Sequence, residues 1–171
     1  MTEEKDFHTI SILVDNESGV LCRVVGLFSG RGYNIENLTV AEIDKENHIS
    51  RITLLTCGTP LVIEQIINQI WRIVPVRSVI DLTAEKPSVE REIGLIKIIC
   101  DTKMRNEALQ IANAFRADTV DITNESCVFQ VVGNSHKIDT FIELMRPLGL
   151  SEIERSGIVA ISRGTKTITN K

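Results

Sequence analysis

The groups best placed to do chemistry lie around Asn16-Glu17-Ser18-Gly19, where a run of alternating apolar residues gives way to a helical pattern. Backbone N–H groups at Gly19, Val20 and Leu21 stand at the positive end of that helix and suit the carboxylate of an amino acid. Asn16 beside them offers a carbonyl to the ammonium group of the same molecule. The same residues also serve a strand-to-helix turn, which Asn, Ser and Gly make without strain, and supply its N-cap. A second cluster, Gly30-Arg31-Gly32-Tyr33-Asn34, resembles part of a dinucleotide G-x-G-x-x-G. No third glycine follows, however, and these glycines end a helix rather than open one. Gly32 reads as a left-handed helix C-cap, which leaves the side chain of Asn34 unassigned. A helix from Val20 to Arg31 separates Asn16 from Asn34 by about 18 Å, so the two cannot grip one ligand within a chain. A two-fold mate supplying the second asparagine satisfies both, and binding would then stabilise the dimer.

Nothing else in the chain supports catalysis. His8, His48 and His136 are isolated, and the nucleophile-elbow, P-loop and H-E-x-x-H patterns are missing. Trp71 falls beside Ile67 and Ile70 on a helical face, a place for core packing or a subunit contact. Cys22, Cys57, Cys100 and Cys127 lie tens of residues apart without metal-ligand spacing, so they read as reduced core thiols with no metal and no cofactor of the chain's own. The net charge of −4 argues against nucleic acid and anionic lipid as partners. The start of the chain is polar and acidic, unlike a signal peptide, and no apolar run approaches the ~18 residues of a membrane span. A cytoplasmic protein is expected.

The elements that must position these groups follow from periodicity. With one Trp, one Tyr and five Phe, the core must be built from Ile, Val and Leu, which favour strands. Residues 8–15 alternate as a strand. Val20, Val24, Leu27 and Phe28 then mark a helical face, 35–43 and 49–56 a hairpin, Pro60 the start of a helix carrying Ile63, Ile66, Ile67, Ile70 and Ile73, and 76–82 a fourth strand. That order is βαββαβ, the ferredoxin-like plan. After a linker at 84–89 the order recurs: strand 92–100, helix 104–115, hairpin 119–123 and 127–132, helix 135–145, and one last strand 153–162. The second copy enters its first helix through Asp101-Thr102-Lys103-Met104, with no glycine to let a ligand approach the backbone. The expected fold is therefore α+β, two ferredoxin-like βαββαβ domains in tandem, at 7–83 and 90–164, with a polar tail at 165–171.

Asn16-Glu17-Ser18-Gly19, the run 23–29, Arg31-Gly32-Tyr33-Asn34-Ile35-Glu36 and Leu38-Thr39-Val40-Ala41 resemble the N-terminal ACT domain of acetolactate synthase small regulatory subunits. Val89-Glu90-Arg91-Glu92, Arg155-Ser156-Gly157 and Ser162-Arg163-Gly164 are similar to that family's C-terminal domain. The resemblance implies a homodimer whose paired ACT domains bind a branched-chain amino acid, chiefly valine, between protomers. Carried over by position, the effector residues are Asn16, Gly19, Val20, Leu21, Asn34 and Ile35, with Ala41 nearby. It further implies a catalytic (large) subunit as partner, holding thiamine diphosphate, FAD and magnesium, whose activity this chain raises and, with valine bound, lowers. The second copy, lacking the glycine loop, is the candidate for a structural or docking domain. Two other readings stand beside this one: an ACT-type amino-acid sensor acting on a different enzyme or on transcription, and an enzyme built on a ferredoxin-like scaffold. The missing helix-turn-helix and basic patch weigh against direct DNA work.

Overall fold

The computed structural model describes residues 6–84 and 87–169. Fourteen elements follow in the order β1 (Asp6–Asp15), α1 (Val20–Ser29), β2 (Asn37–Asp44), β3 (Ile49–Gly58), α2 (Pro60–Ile70), β4 (Val76–Asp81), β5 (Ser88–Ile99), α3 (Thr102–Phe115), β6 (Asp118–Ile122), β7 (Ser126–Gly133), α4 (Ser135–Met145), a 3₁₀ turn (Arg146–Leu148), β8 (Leu150–Arg155) and β9 (Val159–Ser162). The chain divides into two compact units. One runs to Val89 and resumes at Ile158, and the other is Glu90–Gly157.

In the first unit the strand order is β2-β3-β1-β4, every neighbouring pair antiparallel. Alternation decides which face is buried. Ile10, Ile12 and Val14 of β1 point with Ile52 and Leu54 of β3 into a core closed by Val20, Val24 and Phe28 of α1 and Ile63, Ile66 and Ile70 of α2. Spacings of three and four put each helix's apolar residues on one stripe, and each fully buried Ile or Phe contributes roughly 1.5–3 kcal/mol. Helix α2 starts at Pro60, whose missing N–H costs nothing in the first turn.

Strands in the order β6-β7-β5-β8 repeat the plan in a second sheet, in which β9 also pairs with β5. Ile96, Ile98, Cys127, Phe129 and Val131 meet Ala108 and Ala112 of α3 and Ile138, Phe141, Ile142 and Met145 of α4. Both helices are capped by side chains: Asp101 accepts from the Met104 N–H at 2.8 Å and Asn134 from the Lys137 N–H at 2.9 Å.

Three boundaries differ from the sequence reading. The last strand, expected as one run over 153–162, is two strands, because Gly157 at φ 82° turns the chain between β8 and β9. The segment after that turn belongs to the first unit, whereas periodicity had placed it, to residue 164, with the second domain. Tail residue Ile168 packs with Ile80, Leu82, Ile158 and Ala160, and its carbonyl accepts from Ser78 Oγ at 2.6 Å. Of the linker expected at 84–89, Glu85 and Lys86 lie outside the described residues, and Ser88 and Val89 already belong to β5. No helix among the described residues is long and apolar enough to cross a membrane.

Candidate functional site

Helix α1 begins without a side-chain cap, in contrast to α3 and α4. Its N-cap is Gly19 at φ 83°, ψ −1°, and Ser18 makes no capping bond. A Cβ on Gly19 would meet nothing within 4 Å. Glycine is required there for the left-handed backbone rather than for space, and the approach to the first-turn amides stays open. Val20 is buried and Leu21 half-buried, so the side chains of this turn are anchored in the core, while the Val20 N–H donates to the Glu17 carbonyl at 3.3 Å.

The loop ahead of the helix is fastened to the β2–β3 turn. The Asn16 N–H donates to the His48 carbonyl at 2.6 Å, and Asn16 Nδ2 donates to Glu42 Oε1 at 3.0 Å. His48 Nδ1 lies 3.7 Å from the same carboxylate oxygen. The turn is set by Asp44, which accepts from the Asn47 N–H and side chain at 3.0 and 2.8 Å. These bonds hold the Asp44 carboxyl below the usual carboxylate range.

At its other end α1 closes with a Schellman pair: the Tyr33 N–H reaches the Phe28 carbonyl at 3.0 Å and the Gly32 N–H the Ser29 carbonyl at 3.3 Å. Gly32 is left-handed at φ 70°, as the sequence implied, and the Phe28 and Tyr33 rings meet edge to face at 6.3 Å. The motif delivers Asn34 to the approach to β2, where its Nδ2 donates to Glu36 Oε1 at 2.6 Å and its backbone carbonyl accepts from Thr56 Oγ1 at 2.7 Å.

Two asparagines thus stand in matching settings. Each gives its amide N–H to a glutamate and keeps its carbonyl oxygen for another donor. They are not brought together: Glu36 and Glu42, their partners, lie six residues apart along an extended segment, roughly 20 Å. Asn16, Gly19, Val20 and Leu21 cluster at one end of α1, and Asn34 and Ile35 at the other. Ala41 faces elsewhere. It pairs with Arg51 on the sheet face away from the helices, whereas Glu42 pairs with Ser50 on the helix side. Glu36, two residues from Asn34, lies within reach of strand alternation, whereas only the tertiary structure reveals Glu42 beside Asn16.

The second unit holds a buried ion pair between the residues of its two motif segments. Arg155 donates Nε to Glu92 Oε1 at 2.8 Å and Nη2 to Oε2 at 2.7 Å, and reaches Asp139 through Nη1 at 2.7 Å. Ser135 Oγ adds a 3.1 Å bond to Glu92, which is 3% exposed. Bonding to Glu92 raises the affinity of Arg155 for its proton despite burial. This is a structural clamp between β5, β8 and α4. His8 is likewise structural, its Nδ1 2.7 Å from Asp81 Oδ2 across β1 and β4. Trp71 caps α2 at 37% exposure. Among the described residues no group of three or more His, Cys, Asp and Glu is arranged to hold a metal ion.

Two ferredoxin-like units, the first with an open glycine loop at a helix start, define an ACT-domain regulatory protein. Residues 10–78 match the family model described as an AHAS small subunit-like ACT domain, and residues 91–164 the one described as the small subunit of acetolactate synthase. The chain is 42% identical to a probable acetolactate synthase small subunit of Archaeoglobus fulgidus, over 93% of this chain and 98% of that one. It is also 42% identical to the acetolactate synthase small subunit of Aquifex aeolicus, over 91% and 81%. The crystal structure of the acetolactate synthase small subunit from Thermotoga maritima superposes with a TM-score of 0.86 at 34% identity, covering 94% of this chain and 99% of that one. This chain belongs to the acetolactate synthase small-subunit family.

Proposed function

We propose that the chain works in the cytoplasm as a homodimer that raises the activity of the acetolactate synthase catalytic subunit and lowers it when valine is bound, so that branched-chain amino acid synthesis is throttled by its product. Thiamine diphosphate, FAD and magnesium belong in this reading to the catalytic subunit, which condenses pyruvate with pyruvate or 2-oxobutyrate. No residue of this chain is assigned to them.

The observation that carries the reading is the placement of two half-sites at opposite ends of one open strand. Among the described residues β2 is hydrogen-bonded along one edge only, to β3, and it exposes Val40 and Ile43. Unpaired edges invite a partner strand. Antiparallel pairing of β2 with its two-fold mate inverts the ends, setting the Asn16 and Gly19 loop of one protomer beside Asn34 and Ile35 of the other. The joined site has amides for a carboxylate, two asparagine carbonyls for an ammonium group, glutamates adding negative potential, and Leu21 and Ile35 as walls for a small branched side chain.

Calorimetric titration with valine tests this, together with sedimentation at protein concentrations spanning the dimer equilibrium. Saturable binding to the parent protein that is lost in both Asn16→Ala and Asn34→Ala, with dimer affinity rising in valine, is the expected result. Normal binding by Asn34→Ala, or a dimer equilibrium indifferent to saturating valine, overturns the shared site.

A further inference from the structure

The outer face of the first sheet, turned away from α1 and α2, is closed by the chain's own last segment. Ile158 and Ala160 are buried there with Ile80 and Leu82, flanked by Leu55 and Ile168. Besides this apolar contact, β9 pairs with β5, and side-chain hydrogen bonds fix the segment to the sheet. The Ile158 N–H donates to Asn37 Oδ1 at 2.9 Å. Arg51 donates Nε to Ser11 Oγ at 2.7 Å and Nη2 to the Ala160 carbonyl at 2.9 Å, and burial lowers its proton affinity. The layer beneath is polar and buried, with Ser11 at 0%, Thr53 at 5% and Ser78 at 8% exposure. Directional bonds to a polar layer give the segment a defined register, so altering those few groups shifts how it docks.

Both anchors connect to the open edge strand. Asn37 is the first residue of β2, two positions after Ile35, and Arg51 is the register partner of Ala41. Asn37, Thr39 and Ala41 share the face on which the segment rests, since their partners Leu55, Thr53 and Arg51 alternate onto it. The segment itself follows Gly157, the last residue of the second unit, with no residue between.

We propose that residues 158–168 form a strap whose docking is set by β2 through Asn37 and Arg51, and that this strap carries the effector state of the β2 edge along the chain to the second unit. The inference rests on the valine-binding reading above. A ligand that bridges two β2 edges fixes their twist and register, and the Asn37 amide and the Arg51 guanidinium translate that into strap position. A ligand shifts the strap only by its differential affinity for the two docked forms. Asn37 and Arg51 are positioning residues: they are expected to govern the response to the effector and not its binding.

The test uses the full-length dimer reconstituted with the catalytic subunit. Arg51→Met and Asn37→Leu should bind valine within about two-fold of the parent and still activate the catalytic subunit, but lose at least about five-fold in sensitivity to valine inhibition. Asn37→Asp keeps an acceptor oxygen for the Ile158 N–H and should retain normal inhibition, which separates the bond from a general loss of folding. In the parent, saturating valine should change amide exchange at 158–162, and in Arg51→Met exchange there should be faster and indifferent to valine. A parent protein that binds valine without any exchange change at 158–162, or variants inhibited like the parent, overturns the coupling alone. A parent protein that does not bind valine overturns the effector reading and the coupling with it.

Discussion

Replacing Arg155 with methionine removes the guanidinium and keeps most of the aliphatic stem, leaving the Glu92 carboxylate with only the Ser135 hydroxyl for company. Glu92 is 3% exposed while the Arg155 side chain is 35% exposed, so the pair is buried on one side and wet on the other. Breaking a fully buried pair by deleting one partner costs about 3–5 kcal/mol, and the exposure of Arg155 places this one near 3 kcal/mol. For a unit of this size that corresponds to about 12–24 °C in the transition that melts Glu90–Gly157, read by calorimetry. The loss arises mainly from a stranded buried charge. The double variant Glu92→Gln with Arg155→Met should therefore recover most of it. A loss below about 1 kcal/mol, or a double variant as unstable as the single one, would refute the reasoning.

Gly149→Ala should be far more damaging than Gly164→Ala, because a Cβ at 149 would sit 2.1 Å from the Ile99 carbonyl oxygen at φ 91°, while at 164 nothing lies within 4 Å. Urea midpoints are expected to show at least about 3 kcal/mol for the first and about 1 kcal/mol, the left-handed backbone term, for the second. Burial pushes the Cys100 and Cys127 thiols above the usual range, so the folded state keeps protons that the unfolded chain releases. Their contribution to stability is full at neutral pH and is lost as the pH rises through and beyond the usual thiol range, a slope that Cys100→Ala with Cys127→Ala should flatten in alkaline urea titrations. A thiol reagent should label exposed Cys22 first and reach Cys100 and Cys127 only on unfolding, as mass spectrometry of the labelled peptides would report.

Local chemistry made much of this molecule legible in the sequence. Period-two and period-3.6 patterns are written into adjacent residues, so the two βαββαβ runs, the helix start at Pro60 and the left-handed Gly32 followed from neighbours alone. So did the placement of Asn16 and Asn34 at opposite ends of α1. Three features depended on strand register and chain return, which couple residues tens of positions apart. The partnering of Asn16 with Glu42 needed β2 laid against its neighbours. The bidentate grip of Arg155 on Glu92 needed β8 beside β5. The return of 158–168 to the first unit was invisible because Val159-Ala160-Ile161 reads as a continuation of β8. The left-handed turn at Gly157, the pairing of β9 with β5 and waiting partners at Asn37, Arg51 and Ser78 send it elsewhere. A sequence declares what each segment prefers to be, but which face it meets is settled by the tertiary competition for hydrogen bonds and buried surface.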